Sequence, residues 1–109
     1  MTENITISAA QPGDELRFHG LRLGRGPIRM TVRCRSENFL ICDYRVGGVG
    51  RHLVVDLVAR TRRPVSSGRV RGRASMSWCR DLLVDLEAGR VPASPVAHPL
   101  DLVAPASAA

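Results

Sequence analysis

Lysine is missing from this chain of 109 residues. All 16 basic residues are arginine, set against 10 acidic ones, for a formal charge of +6. GC-rich codon usage accounts for the missing lysine. The alternative is selection for the planar, bidentate guanidinium. Aromatics are scarce: Phe18, Phe39, Tyr44 and Trp78 are the full set. That leaves little material for the stacking platforms on which single-strand and RNA binders lay bases. No run of 18 or more apolar residues occurs, which excludes a membrane-spanning helix. The first residues, Met1-Thr-Glu-Asn-Ile-Thr-Ile-Ser, lack the basic start and apolar stretch of a secretion signal. The three cysteines, Cys34, Cys42 and Cys79, are odd in number and form no Cys-x-x-Cys pair. Together these absences lead us to expect a cytoplasmic protein with free, buried thiols and no membrane partner.

What is present is a globular composition, 44% hydrophobic and 24% charged. The length suits one core. Residues 1–13 read as a weakly ordered lead-in, 14–103 as a single domain and 104–109 as a flexible tail. Pro12-Gly13-Asp14 marks a turn, after which Leu16 to His19 and Leu21 to Leu23 alternate as strand segments about Gly20. Between Ile28 and Arg35 the alternation is clean, with Ile28, Met30, Val32 and Cys34 on one face and Arg29, Thr31, Arg33 and Arg35 on the other. Phe39 to Tyr44 is apolar on both faces at first, as in a central strand. Its register stays open, because a two- and a three-residue reversal at Ser36-Glu37-Asn38 bury opposite faces. His52 to Val58 reads as another buried strand. Short connections imply an antiparallel meander.

Residues 59–73 hold Arg60, Arg62, Arg63, Arg69, Arg71 and Arg73 with no acid, and read as an exposed basic loop, with room for a short hairpin at Ser66-Ser67-Gly68. A helix follows, with Ser75 or Ser77 as N-cap and Gly89 past its end. Met76, Cys79, Leu82, Leu83 and Leu86 form its apolar face, and Trp78 flanks it. Pro92, Pro95 and Pro99 interrupt what comes next, leaving one edge strand over residues 99–103. The expected fold is therefore α+β: an antiparallel meander of four to five strands, curled toward a small barrel, packed by one C-terminal helix.

Several short segments, in this order, resemble an uncharacterised family of small proteins from actinobacteria and their phages. They are Val32-Arg33-Cys34-Arg35 with Ser36 to Cys42, then Val54-Val55-Asp56-Leu57, Arg71-Gly72, Leu86-Glu87-Ala88-Gly89 and Pro99-Leu100-Asp101. The likeness spans residues 14 to 103. It departs at Arg51-His52, where the family carries an aromatic, and at Ala93-Ser94-Pro95, where it carries a basic run. The resemblance implies an origin and a fold, not an activity.

Catalysis has one candidate constellation. His52 and Asp56 share a strand face, as a base and its orienter would, without a third member. The cysteines and histidines have no close-paired metal-ligand spacing. Gly24-Arg25-Gly26 and Gly47-Gly48-Val49-Gly50 lead into strands and not into helices, so they are not phosphate loops. No cofactor is expected. The arginines remain: five on strands (Arg17, Arg22, Arg29, Arg33, Arg35) and six in the acid-free loop. From them we expect a non-enzymatic protein that binds an anionic partner through Arg29, Arg33, Arg35, Arg60, Arg62, Arg63, Arg69, Arg71 and Arg73. Two partner classes fit, a nucleic-acid backbone or an acidic protein. Asp81, Asp85 and Glu87 give the helix the opposite sign, so a head-to-tail homo-oligomer is a further use of the charge.

Overall fold

The computed structural model describes residues 7–18, 28–46, 49–65, 75–90 and 98–100. A single 3-10 turn at Ile7–Ala9 leads into strands β1 (Glu15–Phe18), β2 (Ile28–Arg35), β3 (Phe39–Val46), β4 (Val49–Asp56) and β5 (Thr61–Val65). Helix α1 (Met76–Glu87) and a two-residue strand β6 (His98–Pro99) follow. The strands lie in sequence order in one sheet, each antiparallel to the next. The expected α+β meander with one packed helix is the observed architecture.

The sheet is covered on both faces. Leu16, Phe18, Met30, Val32, Leu40, Cys42, Leu53 and Val55 meet on one face, where Ile7 and Ala10 of the lead-in join them. On this face the guanidinium of Arg62, on β5, lies over the ring of Phe18, on β1. In a flat sheet those strands would stand about 19 Å apart, four spacings of about 4.8 Å. The sheet is therefore strongly curled, with this face concave, although among the described residues β1 and β6 are not paired to close a barrel. The convex face carries Cys34, Ile41 and Val54, against which Cys79, Leu83 and Leu86 of α1 pack.

The register of β3 is settled by a bulge. Val32 stands opposite Cys42, but Cys34 stands opposite Ile41, so Arg33 is one residue more than its partner strand holds. The bulge breaks the alternation read from sequence. Met30 and Val32 point into the concave core, while Cys34 turns to the helix side. Being apolar on both faces, β3 feeds both cores, with Leu40 and Cys42 on one side and Ile41 on the other.

Further corrections follow from local chemistry. Strand β4 ends at Asp56, because its carboxylate accepts the N–H groups of Val58 and Ala59, at 2.9 Å each, and turns the chain. Val58, expected to be a buried strand residue, is 74% exposed. Part of the expected basic loop is strand β5, paired with β4 from His52–Val65 to Asp56–Thr61. Pro64 lies in β5 opposite Leu53 of β4, and among the described residues β6 pairs with Thr61 and Arg62. In the helix, Ser75 is the N-cap, its hydroxyl accepting from the Trp78 N–H at 3.1 Å. Gly89 adopts φ +83° beyond the end, as a terminal glycine does. Met76 is exposed and not part of the buried stripe. The segment about Gly20, the Ser66-Ser67-Gly68 hairpin, most of the 99–103 edge strand and the 104–109 tail lie outside the described residues.

Candidate anion-binding face

Strand pairing sorts the arginines into those that build the fold and those that face outward. Arg17 on β1 pairs with Arg29 on β2. The Thr31–Asp43 pairing, continued by two residues, brings Arg29 opposite Arg45 on β3, and Arg45 in turn pairs with Gly50. Leu16 and Phe18 point into the concave core, so Arg17 points away from it, as do Arg29 and Arg45 by the same alternation. The three form a row across three neighbouring strands on the convex face, spanning about 10 Å. The side chain of Arg29 is 69% exposed, Arg45 is exposed and Arg17 is half-buried. The Glu15 carboxylate is 4.0 Å from Arg29, and Asp43, two residues along β3 from Arg45 on the same face, is paired with Arg33. Like charges directly across a ladder destabilise a sheet, so such a row gains from an anion laid over it.

This row lies at one end of the sheet. Phe18 and Ile28, Val46 and Val49, and Val65 are all at that end. Arg22, Arg25, Arg69, Arg71 and Arg73 lie outside the described residues. Helix α1 begins toward the same end of the sheet, since Trp78 touches His52 while Glu87 sits at the opposite end beside Ser36 and Asn38. The positive pole of the helix dipole thus faces the same way. The opposite end is where Glu37, Asp56, Asp85 and Glu87 lie.

Several expected binding arginines are committed elsewhere. Arg33, the bulged residue, pairs with Asp43 at 3.1 Å, both side chains being under one-fifth exposed. Arg35 is turned by the bulge and donates to the carbonyls of Ser8 and Ala10, at 2.7 Å each, pinning the lead-in. Arg62 is buried over Phe18 at 5.3 Å. Arg60 is exposed, but at the far end of the sheet, in a turn. Arg63 is half-buried on the helix side, opposite Val54. Arg29 is the expected residue that stands in the outward row. Arg69, Arg71 and Arg73 lie outside the described residues. Two exposed arginines lie just beyond the expected strands: Arg45 follows Tyr44, the expected end of β3, and Arg51, opposite Tyr44, precedes His52, the expected start of β4. Each strand extended by one residue takes in its arginine.

The His52–Asp56 constellation is not assembled. Asp56 spends one carboxylate oxygen on its turn, and the acid opposite His52 is Asp43, on β3. His52 is buried, edge-on to Trp78 with ring centroids 5.1 Å apart, and among the described residues its Nε2 meets no hydrogen-bonding group. Burial pushes its pKa below the ordinary 6.5, with Asp43 pulling the other way. The three thiols are free and buried. Burial drives Cys34 and Cys42 up to about 12. Among the described residues no three His, Cys, Asp or Glu side chains gather as a metal cluster, and no helix is long and apolar enough to cross a membrane. Comparison with known proteins returns no matching family, no similar curated protein and no similar solved structure.

Proposed function

We propose that this chain is a small non-enzymatic accessory protein, of phage or actinobacterial origin, that binds the phosphate backbone of duplex nucleic acid on the convex face of its sheet. The observation that carries this reading is the row Arg17, Arg29 and Arg45, three outward cations in adjacent strands. Arginine is suited to bidentate contact with phosphate. The duplex is favoured over a single strand because all four aromatics pack into the cores: Phe18 and Tyr44 on the concave side, Phe39 and Trp78 under the helix. Without a free aromatic face, binding rests on phosphates and carries little sequence preference.

The test is a fluorescence-anisotropy titration of a short labelled duplex at salt from about 50 to 200 mM. Affinity should fall with a log–log slope of about −0.9 per phosphate contacted. Replacing Arg17, Arg29 and Arg45 together by Ala should flatten the slope by about 2.7, and absence of binding at the lowest salt rejects the proposal. The 4.0 Å approach of Glu15 to Arg29 favours a second reading, in which the row docks the carboxylates of an acidic protein. Polyglutamate that displaces the duplex at equal charge supports this reading, whereas duplex preference supports the first.

A further inference from the structure

A pair of thiols joins the helix to the sheet. The bulge at Arg33 turns Cys34 out of the concave core and onto the helix side of β2. There it shares one buried cluster with Cys79, on the inner face of α1, together with Ile41, Val54, Leu83 and Leu86. Cys79 is among the groups that raise the Cys34 pKa, so the two thiols are close enough to influence one another. Cys42, although only one pairing step away on β3, points to the opposite face and belongs to the other core. The sheet therefore turns two of the three thiols to one face and the third to the other. Cys79 is fully buried, while Cys34 is 7% exposed, so the pair has one rim-side member and one enclosed member.

We propose that Cys34 and Cys79 form an intramolecular disulfide that latches α1 to the bulge of β2 under oxidising conditions. The oxidant is a small disulfide such as oxidised glutathione. The Cys34 thiolate attacks one glutathione sulfur and expels one glutathione thiolate. The Cys79 thiolate then attacks the Cys34 sulfur of the mixed disulfide and expels the second. Two protein thiols are oxidised, one glutathione disulfide is reduced to two thiols, and both protons pass to the expelled glutathione. Thiolate is the attacking form, and the burial that raises the Cys34 pKa to about 12 keeps it scarce at neutral pH. The latch is thus slow, closing with the redox state of the surroundings and not with a brief oxidant pulse. It acts on helix packing, whatever the partner of the arginine row.

The experiment is equilibration of the folded protein in an oxidising glutathione buffer at about pH 8, near the ordinary thiol pKa. Thiol titration and peptide mass mapping under non-reducing conditions follow. The expected result is a fall from three free thiols to one, a loss of two hydrogens, and a Cys34–Cys79 linked peptide that dithiothreitol releases. The Cys42→Ser protein should form the same link and retain no free thiol. Three free thiols at equilibrium, a link through Cys42, or a link between chains overturns the proposal. Because the wild-type map alone decides the outcome, it does not depend on a cysteine variant folding.

Discussion

The guanidinium of Arg62 lies 5.3 Å from the ring centroid of Phe18, although their strands, β5 and β1, are separated by three others. The contact measures how far the sheet has curled. It also makes Arg62 a core residue, 4% exposed, whose stem packs among apolar neighbours and whose charge rests on an aromatic face. Arg62→Ala should therefore destabilise the fold by about 2–4 kcal/mol in urea unfolding, through lost packing as well as lost cation–π attraction. Arg62→Met, which keeps the stem volume, should recover at least half of the loss. Neither change should alter the salt slope of duplex binding.

Glu87 makes the corresponding link on the convex side. From the last turn of α1 its carboxylate accepts from the Ser36 hydroxyl and from both the backbone and side-chain N–H groups of Asn38, the latter two at 2.9 Å. These bonds favour the charged form and hold its pKa below the ordinary 4.5. A depressed folded pKa contributes stability above the unfolded value of 4.5, which is lost as pH falls through the folded value. Glu87→Gln should thus lower the urea midpoint at pH 7, and the gap between variant and wild type should close below pH 4.5.

The two contacts explain which parts of the fold were legible in sequence. Alternation identified β2, and the three- and four-residue spacing identified α1, because both signals are local. The bulge was not legible. Arg33 continues a perfect alternation, and only its pairing with β3 shows that the strand holds one residue too many. Strand β5 was hidden by its composition: Thr61-Arg62-Arg63-Pro64-Val65 reads as loop until a curled sheet supplies Phe18 beneath Arg62. Charge patterning found an arginine-rich surface. It could not separate Arg29, which faces solvent, from Arg33 and Arg35, whose partners Asp43, Ser8 and Ala10 are 10 to 27 residues away.

His52 should govern a separate acid step. Its folded pKa lies below 6.5, because a buried imidazole resists charge, and Arg33 adds to that resistance while Asp43 opposes it. The unfolded chain then takes up a proton first, so stability is complete above pH 6.5 and declines as pH falls below it, levelling off under the folded value. Trp78 fluorescence reports on this site directly, being in edge contact with the ring. In His52→Phe, the decline in urea midpoint between pH 6.5 and pH 5 should disappear, while the Glu87 step below 4.5 remains.

Arg60 occupies the left-handed region, with φ +60°, at the end of the turn that Asp56 sets. A side chain there carries a steric cost that glycine does not. The residue is exposed and its N–H still reaches the Asp56 carbonyl at 3.0 Å whatever its side chain. Arg60→Gly should raise stability by about 0.5–1 kcal/mol, and Arg60→Val should lower it. An unchanged duplex affinity in Arg60→Gly would also place this end of the sheet outside the binding face.

Arg29 and Arg35 are six residues apart on β2 and give the sharpest separation of binding from folding. Arg29 is 69% exposed, with a carboxylate no nearer than 4.0 Å, a pair worth little in water. Arg29→Ala should leave stability within about 0.5 kcal/mol and reduce the salt slope of duplex binding by about 0.9. Arg35 donates two 2.7 Å bonds to the Ser8 and Ala10 carbonyls, so its charge fastens the lead-in that carries Ile7 and Ala10 into the concave core. Arg35→Ala should cost about 1.5–3 kcal/mol with the slope unchanged. If both variants lower the slope equally, the bulge does not divide the arginines of β2 into two roles, and the row of Arg17, Arg29 and Arg45 loses its claim to be the binding face.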